Sequence, residues 1–283
     1  LTCSVEPGFV TGFLGPNGAG KSTTMRMIVG LDRPTSGTAT VLGKTYHELK
    51  HPLRSVGALL DARQVHPNRT ARAHLRWLAA SNKLSKSRVD EVLNIVGLTD
   101  VAGKQAGTFS LGMSQRFGIA VALLGDPEVL LFDEPVNGLD PEGIRWIRTL
   151  MRDLASEGRT VLVSSHLLAE MANTADRLLV IGQGRLISSS TMAEFLTSSG
   201  SDTIRVRSPQ LERLHELLTA QDASAQLADG VLLVRGISTE QVGELAAGHG
   251  IVLHELAAQQ ASLEEAYMRL TDDAVDYRAV GAP

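Results

Sequence analysis

The glycine-rich stretch GPNGAGKST at residues 15–23 constrains the fold more than any other part of the sequence. It follows an apolar run at residues 9–14 and precedes a helical pattern at residues 24–29. In this order of strand, loop and helix, the pattern G-x-x-x-x-G-K-[ST] predicts a phosphate-binding P-loop. The alternative is a glycine turn that happens to contain a lysine. The register of both glycines, the lysine and the hydroxyl argues against that alternative.

The residue types in this loop fit a nucleoside triphosphate. Glycines allow close approach of the backbone, and N–H groups at the start of the following helix can bind anionic oxygens. Lys21 would add a full positive charge at the terminal phosphates, and Ser22 would offer a hydroxyl to Mg²⁺. We therefore predict a binding site made by Gly15, Pro16, Asn17, Gly18, Ala19, Gly20, Lys21, Ser22 and Thr23.

Composition narrows the functional class. The 283 residues allow about two domains, and 43% apolar with 20% charged residues is ordinary for a globular protein with a sizeable core. A net charge of −4 without a basic stripe argues against a nucleic-acid partner. Cys3 is the single cysteine, which excludes an internal disulfide and fits a reducing cytosol. Apolar runs are too short to span a bilayer, so action at a membrane would require a partner.

A second candidate site element is a pair of acids at the end of an apolar run. Residues 129–132 are continuously apolar and lead directly into Asp133 and Glu134, the pattern of a buried parallel strand whose carboxyl end faces a site. Asp133 would hold Mg²⁺ through its water shell, and Glu134 would polarise the water that attacks the γ-phosphate. The alternative is a solvated strand end with a turn at Pro135.

Two further stretches are candidate site elements because of where they lie relative to the acidic pair. The sequence TFSLGMSQR at residues 108–116 places Ser110 and Gly112 before a helical pattern, which by itself indicates no more than an N-cap. His166 follows a buried-strand pattern at residues 160–164. A single histidine is more often structural than catalytic, but beside the acidic strand it could hydrogen-bond the γ-phosphate.

Together these motifs resemble the nucleotide-binding subunit of ATP-binding cassette (ABC) transporters. Residues 15–23 look like the Walker A loop, 129–135 like Walker B, 137–140 like the D-loop, 164–166 like the switch histidine and 109–116 like the signature. The resemblance covers residues 1 to about 190. It implies an α/β fold, a P-loop NTPase cassette with a RecA-like core and a helical subdomain at about 62–125, within an ATPase domain at 1–195.

The resemblance also implies a mechanism. Glu134, His166 and Lys21 would be the catalytic residues of an ATPase that uses ATP and Mg²⁺. Two copies would form a homodimer around two ATP molecules, with Ser110 and Gly112 of one copy facing the γ-phosphate held by the other. Closing of the dimer would drive a multispanning membrane permease on a separate chain, at the cytoplasmic face of the cell membrane, and hydrolysis would reopen the dimer.

The sequence also resembles one subfamily in particular and departs from the family's usual motifs at several positions. The sequence TFSLGMSQRFGIA and the presence of a segment after residue 200 resemble the ATP-binding subunit of multidrug exporters of the daunorubicin-resistance type. In the signature, Phe109, Leu111 and Met113 replace the first, third and fifth members. The family's Q-loop glutamine falls at Asp61, whose carboxylate could hold metal-bound water, with Gln64 close by. A preceding strand and the aromatic that stacks on adenine are expected upstream of Leu1.

The C-terminal part carries a second pattern of strands and helices. A βαββαβ order is predicted over residues 201–270, with strands at 203–206, 224–227, 231–234 and 251–256 and helices at 210–220 and 239–247. This order is typical of a small ferredoxin-like α+β domain. A packing helix at 263–270 would close it, and residues 271–283 would form a tail.

The sequence motifs are also compatible with other functional classes. ATPases of DNA repair or chromosome structure and translation factors carry similar cassettes. No heptad run separates the two Walker-like motifs, and no second cassette follows them. The chain could also be an importer subunit, or a regulatory subunit that binds ATP without turnover.

Overall fold

The computed structural model describes residues 1–62, 65–166, 168–198, 203–221, 223–228, 230–259, 263, 264 and 267. The chain divides into two compact units, Leu1–Met192 and Ala193–Asp272. In these described ranges, no helix is both long enough and apolar enough to cross a bilayer.

The first unit is built on a mixed six-stranded sheet. Its strands are β1 (Val10–Leu14), β2 (Val56–Leu59), β3 (Val129–Asp133), β4 (Thr160–Ser165), β5 (Arg177–Gly182) and β6 (Arg185–Thr191). The strand order is β2-β3-β4-β1-β5-β6, in which the first five strands are parallel and β6 pairs antiparallel with β5. A parallel sheet of this kind confirms the predicted α/β fold class.

The sheet brings the predicted motifs to one edge. All residues of β1 are buried, and only the last residue of β3 is partly exposed, which explains why apolar residues predominate in both strands. Leu14 lies beside Ser165, and Asp133 lies beside Ser164, so β1, β3 and β4 end at the same level. Loops after these strands therefore converge at the carboxyl edge of the sheet.

Helices pack against the strands of this sheet or against one another. They are α1 (Lys21–Ile28), α2 (Pro52–Ser55), α3 (Ala71–Ser81), α4 (Ser87–Ile95), α5 (Leu111–Leu123), α6 (Pro141–Ser156) and α7 (Leu168–Ala172). Helices α3, α4 and α5 lie within residues 62–125. Helix α5 packs against β2 and buries Phe117 and Ile119 completely, which fixes the position of its first turn near the sheet edge.

Helix α6 begins with an aspartate cap that can be tested. The side chain of Asp140 accepts a hydrogen bond of 2.8 Å from the Gly143 N–H, and Pro141 occupies the first helical position. Asp140→Ala is expected to lower the free energy of unfolding by about 1 kcal/mol, because one N–H loses its acceptor. Urea unfolding checks this, and Asp140→Asn, which keeps an oxygen there, should unfold with the parent chain. Equal midpoints for the alanine variant would contradict the cap.

The described residues of the second unit form strands and amphipathic helices that follow one another in the order β-α-β-β-α-β between residues 203 and 259. Its elements are β7 (Thr203–Arg207), α9 (Leu211–Thr219), β8 (Ser224–Ala228), β9 (Val231–Arg235), α10 (Thr239–Gly248) and β10 (Glu255–Gln259), after α8 (Met192–Ser198). The sheet is antiparallel in the order β10-β7-β9-β8. Val206, Leu214, Leu232 and Val242 are buried completely in its core.

Several boundaries differ from the sequence predictions. The β-branched sequence TATVL at residues 38–42 favours a short strand, but none is formed there, and Val41 makes only an isolated bridge with Lys44. The strand predicted at 251–256 begins instead at Glu255, because Ile251 donates its N–H to Ala246 O (2.9 Å) and ends α10 while its side chain joins the core. Strand β6 and helices α7 and α8 were not predicted. The helix predicted at 263–270 lies outside the described residues except at 263, 264 and 267.

Candidate functional site

The P-loop connects β1 to α1 at the carboxyl edge of the sheet. Gly20 is the N-cap of α1 and has a φ of 103°, a conformation that residues with side chains rarely adopt. This backbone turn starts the helix at Lys21. The first N–H groups of a helix have no partner within it, so they are free to bind anionic oxygens at this point.

Lys21 is held inside the loop by backbone carbonyls. Its Nζ donates to Gly15 O at 2.7 Å and to Pro16 O at 3.2 Å, and only 8% of the residue is exposed. Burial lowers the pKa of the Lys21 amine, while attraction to the Glu134 and Asp133 carboxylates acts in the opposite direction. The structure thus places a cation between the loop and the acidic pair.

A pocket of about 460 Å³ opens beside this lysine. Its walls are formed by Asn17, Gly18, Gly20, Lys21, Ser22 and Thr23 from the loop, and by Glu134, Asn137 and His166 from the neighbouring strand ends. The other predicted loop residues, Gly15, Pro16 and Ala19, do not line it. Ala19 donates its N–H to Pro16 O (3.1 Å), so these residues shape the loop from behind.

Glu134 and His166 meet on the opposite wall, whereas Asp133 does not line the pocket. His166 Nδ1 lies 2.5 Å from Glu134 Oε2, and Asn137 Nδ2 lies 3.5 Å from the same oxygen. Glu134 has a φ of 51°, so its backbone is left-handed as well. A constrained backbone and two polar neighbours hold this carboxylate at the pocket.

Ser164 connects the two acids, a role that the sequence analysis did not assign. Its hydroxyl accepts a hydrogen bond from the Glu134 N–H (3.0 Å) and donates one to Asp133 Oδ1. The residue is completely buried. The signal in the sequence was a serine directly after the apolar residues 161–163 of β4, but its partners follow only from the register of β3 and β4.

Gln115 is a second contact that sequence reasoning missed. Its Nε2 donates to Glu134 O at 3.0 Å, and it is 5% exposed. A glutamine on the buried side of the apolar helix α5 must find a partner, because an unsatisfied buried amide is costly. Here the partner is the carbonyl of Glu134.

Removing the Ser164 hydroxyl should disturb both acids at once. In Ser164→Ala, the Glu134 N–H and the Asp133 carboxylate each lose a buried partner, so we expect a free energy of unfolding about 1–3 kcal/mol lower and roughly tenfold slower hydrolysis. Denaturant unfolding and phosphate release measure the two effects. Ser156→Ala is the matched control, since that hydroxyl bonds only Asp153 O (2.7 Å) in its own helix. Equal behaviour of both variants would refute the role of Ser164.

The remaining predicted site residues lie away from the pocket wall. Ser110 caps α5 by accepting from the Met113 N–H (3.2 Å), and neither Ser110 nor Gly112 lines the pocket of its own chain. Asp61, which is exposed, does not line it either. Gln64 lies outside the described residues. In the part of the chain that the structure describes, no three His, Cys, Asp or Glu residues form a metal-binding cluster.

A Mg²⁺ ion still fits this site on chemical grounds. Mg²⁺ commonly keeps several waters and takes one or two protein carboxylates together with substrate phosphates, so a full protein cage is not required. The exposed hydroxyl of Ser22 and the partly exposed carboxylate of Asp133 are hard oxygen donors of the preferred kind.

Comparisons with known proteins point to one family. A family model described as ABC transporter matches residues 1–137, and a model for a domain of unknown function matches residues 202–264. The uncharacterized ABC transporter ATP-binding protein YhcH of Bacillus subtilis is 35% identical over 276 residues, which cover 96% of this chain and 90% of that protein. The bacitracin transport ATP-binding protein BcrA of Bacillus licheniformis is 45% identical over 190 residues, which cover 66% of this chain and 62% of that protein.

A solved structure agrees with the sequence relatives. A protein described as the ATP-binding subunit of an ABC transporter superposes with a TM-score of 0.65 at 27% identity. The match covers 71% of this chain and 85% of that one. The predicted P-loop NTPase cassette is therefore confirmed as the fold.

Proposed function

The chain belongs to the ABC transporter family of ATP-binding proteins, and on this premise we propose that it hydrolyses ATP to power a membrane transporter. One observation carries the proposal. A single pocket joins Lys21 and the start of α1 to Glu134 and His166. Phosphate-binding groups and a carboxylate able to orient water thus face the same space.

The P-loop would bind the phosphates. Backbone N–H groups of Gly18 and of residues 20–23, together with the positive end of α1, supply donors for anionic oxygens. Lys21 would exchange its bonds with Gly15 O and Pro16 O for stronger, charge-assisted bonds to phosphate oxygens. Ser22 and Asp133 would hold Mg²⁺, which when bound offsets charge on the phosphates.

Hydrolysis would depend on the opposite wall of the pocket. Glu134 would accept a proton from the attacking water, and Asn137 and His166 would fix its carboxylate. Ser164 would hold Asp133 and Glu134 in register. Lys21 would stabilise the negative charge that develops on the phosphoryl group. The side chains therefore act through position and electrostatics.

We further propose that two copies assemble around two ATP molecules. Ser110 and Gly112 are absent from the pocket of their own chain, which supports a role at the pocket of a second copy. A hydroxyl and free N–H groups at the start of α5 suit the γ-phosphate. Asp61, at the end of β2, would assist through metal-bound water.

The proposed partner is a multispanning permease on a separate chain, which would place the ATPase at the cytoplasmic face of the cell membrane. Residues 1–195 would form the ATPase domain and 201–270 a ferredoxin-like domain. The relative named for bacitracin transport and the resemblance to daunorubicin-resistance subunits support export of drugs or other hydrophobic compounds.

Two measurements test this function. The purified chain should release phosphate from ATP in the presence of Mg²⁺, and chelation by EDTA should stop the release. A tagged copy expressed in its native cell should recover a multispanning permease from detergent-solubilised membranes. Recovery of nucleic acid in place of a permease would contradict the transporter assignment, and ATP binding without any turnover would contradict the ATPase assignment.

A further inference from the structure

The third position of the signature carries a leucine that lies directly against the D-loop of the same chain. A Cβ placed on Gly138 would lie 2.3 Å from both Cγ and Cδ2 of Leu111. Carbon atoms at optimal separation are about 3.5–4.0 Å apart. Gly138 also has a φ of 75°, which disfavours any side chain. The leucine at 111 and the glycine at 138 are therefore complementary in shape.

Gly112, the residue after Leu111, also lies close to Gly138. A Cβ on Gly112 would lie 3.0 Å from the carbonyl oxygen of Gly138. The first turn of α5 is thus packed on the backbone of the D-loop at two consecutive positions. Since Leu111 is still 45% exposed, its contact with Gly138 is not ordinary core packing.

Helix α5 holds this loop at a second point, one turn further along. Gln115 donates to the Glu134 carbonyl (3.0 Å), and the Asn137 N–H donates to the same oxygen (3.2 Å). Leu111 and Gln115 are four residues apart and share one face of the helix. One helical face therefore contacts both ends of the segment 134–138, and this segment carries the carboxylate that faces the pocket.

We propose that Leu111 and Gly138 are a matched pair of positioning residues, which fixes residues 134–140 on α5 and thereby places the Glu134 carboxylate for hydrolysis. The inference rests on the function proposed above for Glu134. It explains how the chain accommodates a bulky residue in the signature: the D-loop provides a position without a side chain beneath it.

Kinetics of Gly138→Ala, of the double variant with Leu111→Ala and of a control variant distinguish this positioning role from local packing. Gly138→Ala places a methyl group against Leu111 and must move the loop, and displacements near 1 Å can slow catalysis by about 10²-fold. We expect kcat for ATP to fall about tenfold or more with KM within about twofold, because the P-loop is untouched. Leu111→Ala leaves only its Cβ, 3.2 Å from the added methyl, so the double variant should recover most of the lost kcat.

Gly43→Ala is the matched control for backbone strain. Gly43 has a φ of 76°, nearly that of Gly138, but an added Cβ would have no neighbour within 4 Å. This variant should keep the parent kcat within about twofold, although it adds the same conformational strain.

The kcat values of these variants test the proposed role of Leu111 and Gly138. A double variant as slow as Gly138→Ala, or a Gly138→Ala variant with the parent kcat, would overturn it. A change in unfolding midpoint with unchanged kcat would also overturn it, because the contact would then be structural only. A parent chain that releases no phosphate would instead overturn the proposed function, and with it this role of the pair.

Discussion

Replacing Glu134 by Gln is expected to slow phosphate release by a factor of about 10²–10⁴, the usual contribution of a positioned general base. The amide has nearly the same shape, and the backbone bonds of residue 134 with Gln115 and Ser164 remain. Binding of ATP should persist, since removal of a negative charge from the pocket cannot repel the phosphates. Phosphate release and equilibrium nucleotide binding, measured on the same protein, separate the two steps.

The matched control for this variant is Glu142→Gln. Glu142 is an exposed acid in the first turn of α6 and does not line the pocket. It should keep the parent rate. If the Glu134→Gln chain hydrolysed ATP as fast as the parent, Glu134 would have no role in activating water.

Replacing Lys21 by Met is expected to weaken nucleotide binding by about 10- to 100-fold. Hydrogen bonds to charged groups contribute about 1.5–3 kcal/mol, and each 1.4 kcal/mol corresponds to tenfold in affinity. The variant also removes the donor to Gly15 O and Pro16 O, so its folding is checked together with its affinity. Calorimetric titration with a non-hydrolysable ATP analogue measures the affinity, and thermal unfolding confirms that the variant is folded.

Lys44→Met provides the comparison for this prediction. Lys44 is an exposed lysine in the same unit, outside the pocket, so its replacement should leave nucleotide affinity unchanged. Equal affinities for the Lys21→Met and Lys44→Met chains would show that the phosphates bind elsewhere.

The central strands and the pocket walls were predictable because their signals are local. Continuous apolar runs marked β1, β3 and β4, and parallel strands that share a sheet expose their carboxyl ends together. Glu134 and His166 directly follow β3 and β4, and Lys21 follows β1 after the P-loop. Their convergence therefore follows from the order of the strands.

Contacts that depend on register could not be predicted in the same way. Ser164 reaches Asp133 and Glu134 because β3 and β4 are aligned at that position. Leu111 meets Gly138 only because α5 packs against β2 and brings its first turn to the D-loop. The local hydrophobic pattern of each segment does not predict these contacts between segments.

Edge elements were missed for a related reason. Strand β6 has the sequence RLISSST and is at most partly buried, so it shows no apolar pattern. It exists through its pairing with β5 after the turn at Gln183. Conversely, residues 251–253 are apolar and partly β-branched, but they form no strand, and the Ile251 N–H instead bonds Ala246 O at the end of α10.

The most direct test is a crystal structure of this chain grown with Mg²⁺ and a non-hydrolysable ATP analogue. We expect terminal phosphate oxygens at hydrogen-bonding distance, about 3 Å, from Lys21 Nζ, with Glu134 facing the γ-phosphate. Phosphates bound at any other place, with Lys21 still bonded to Gly15 O and Pro16 O, would contradict it.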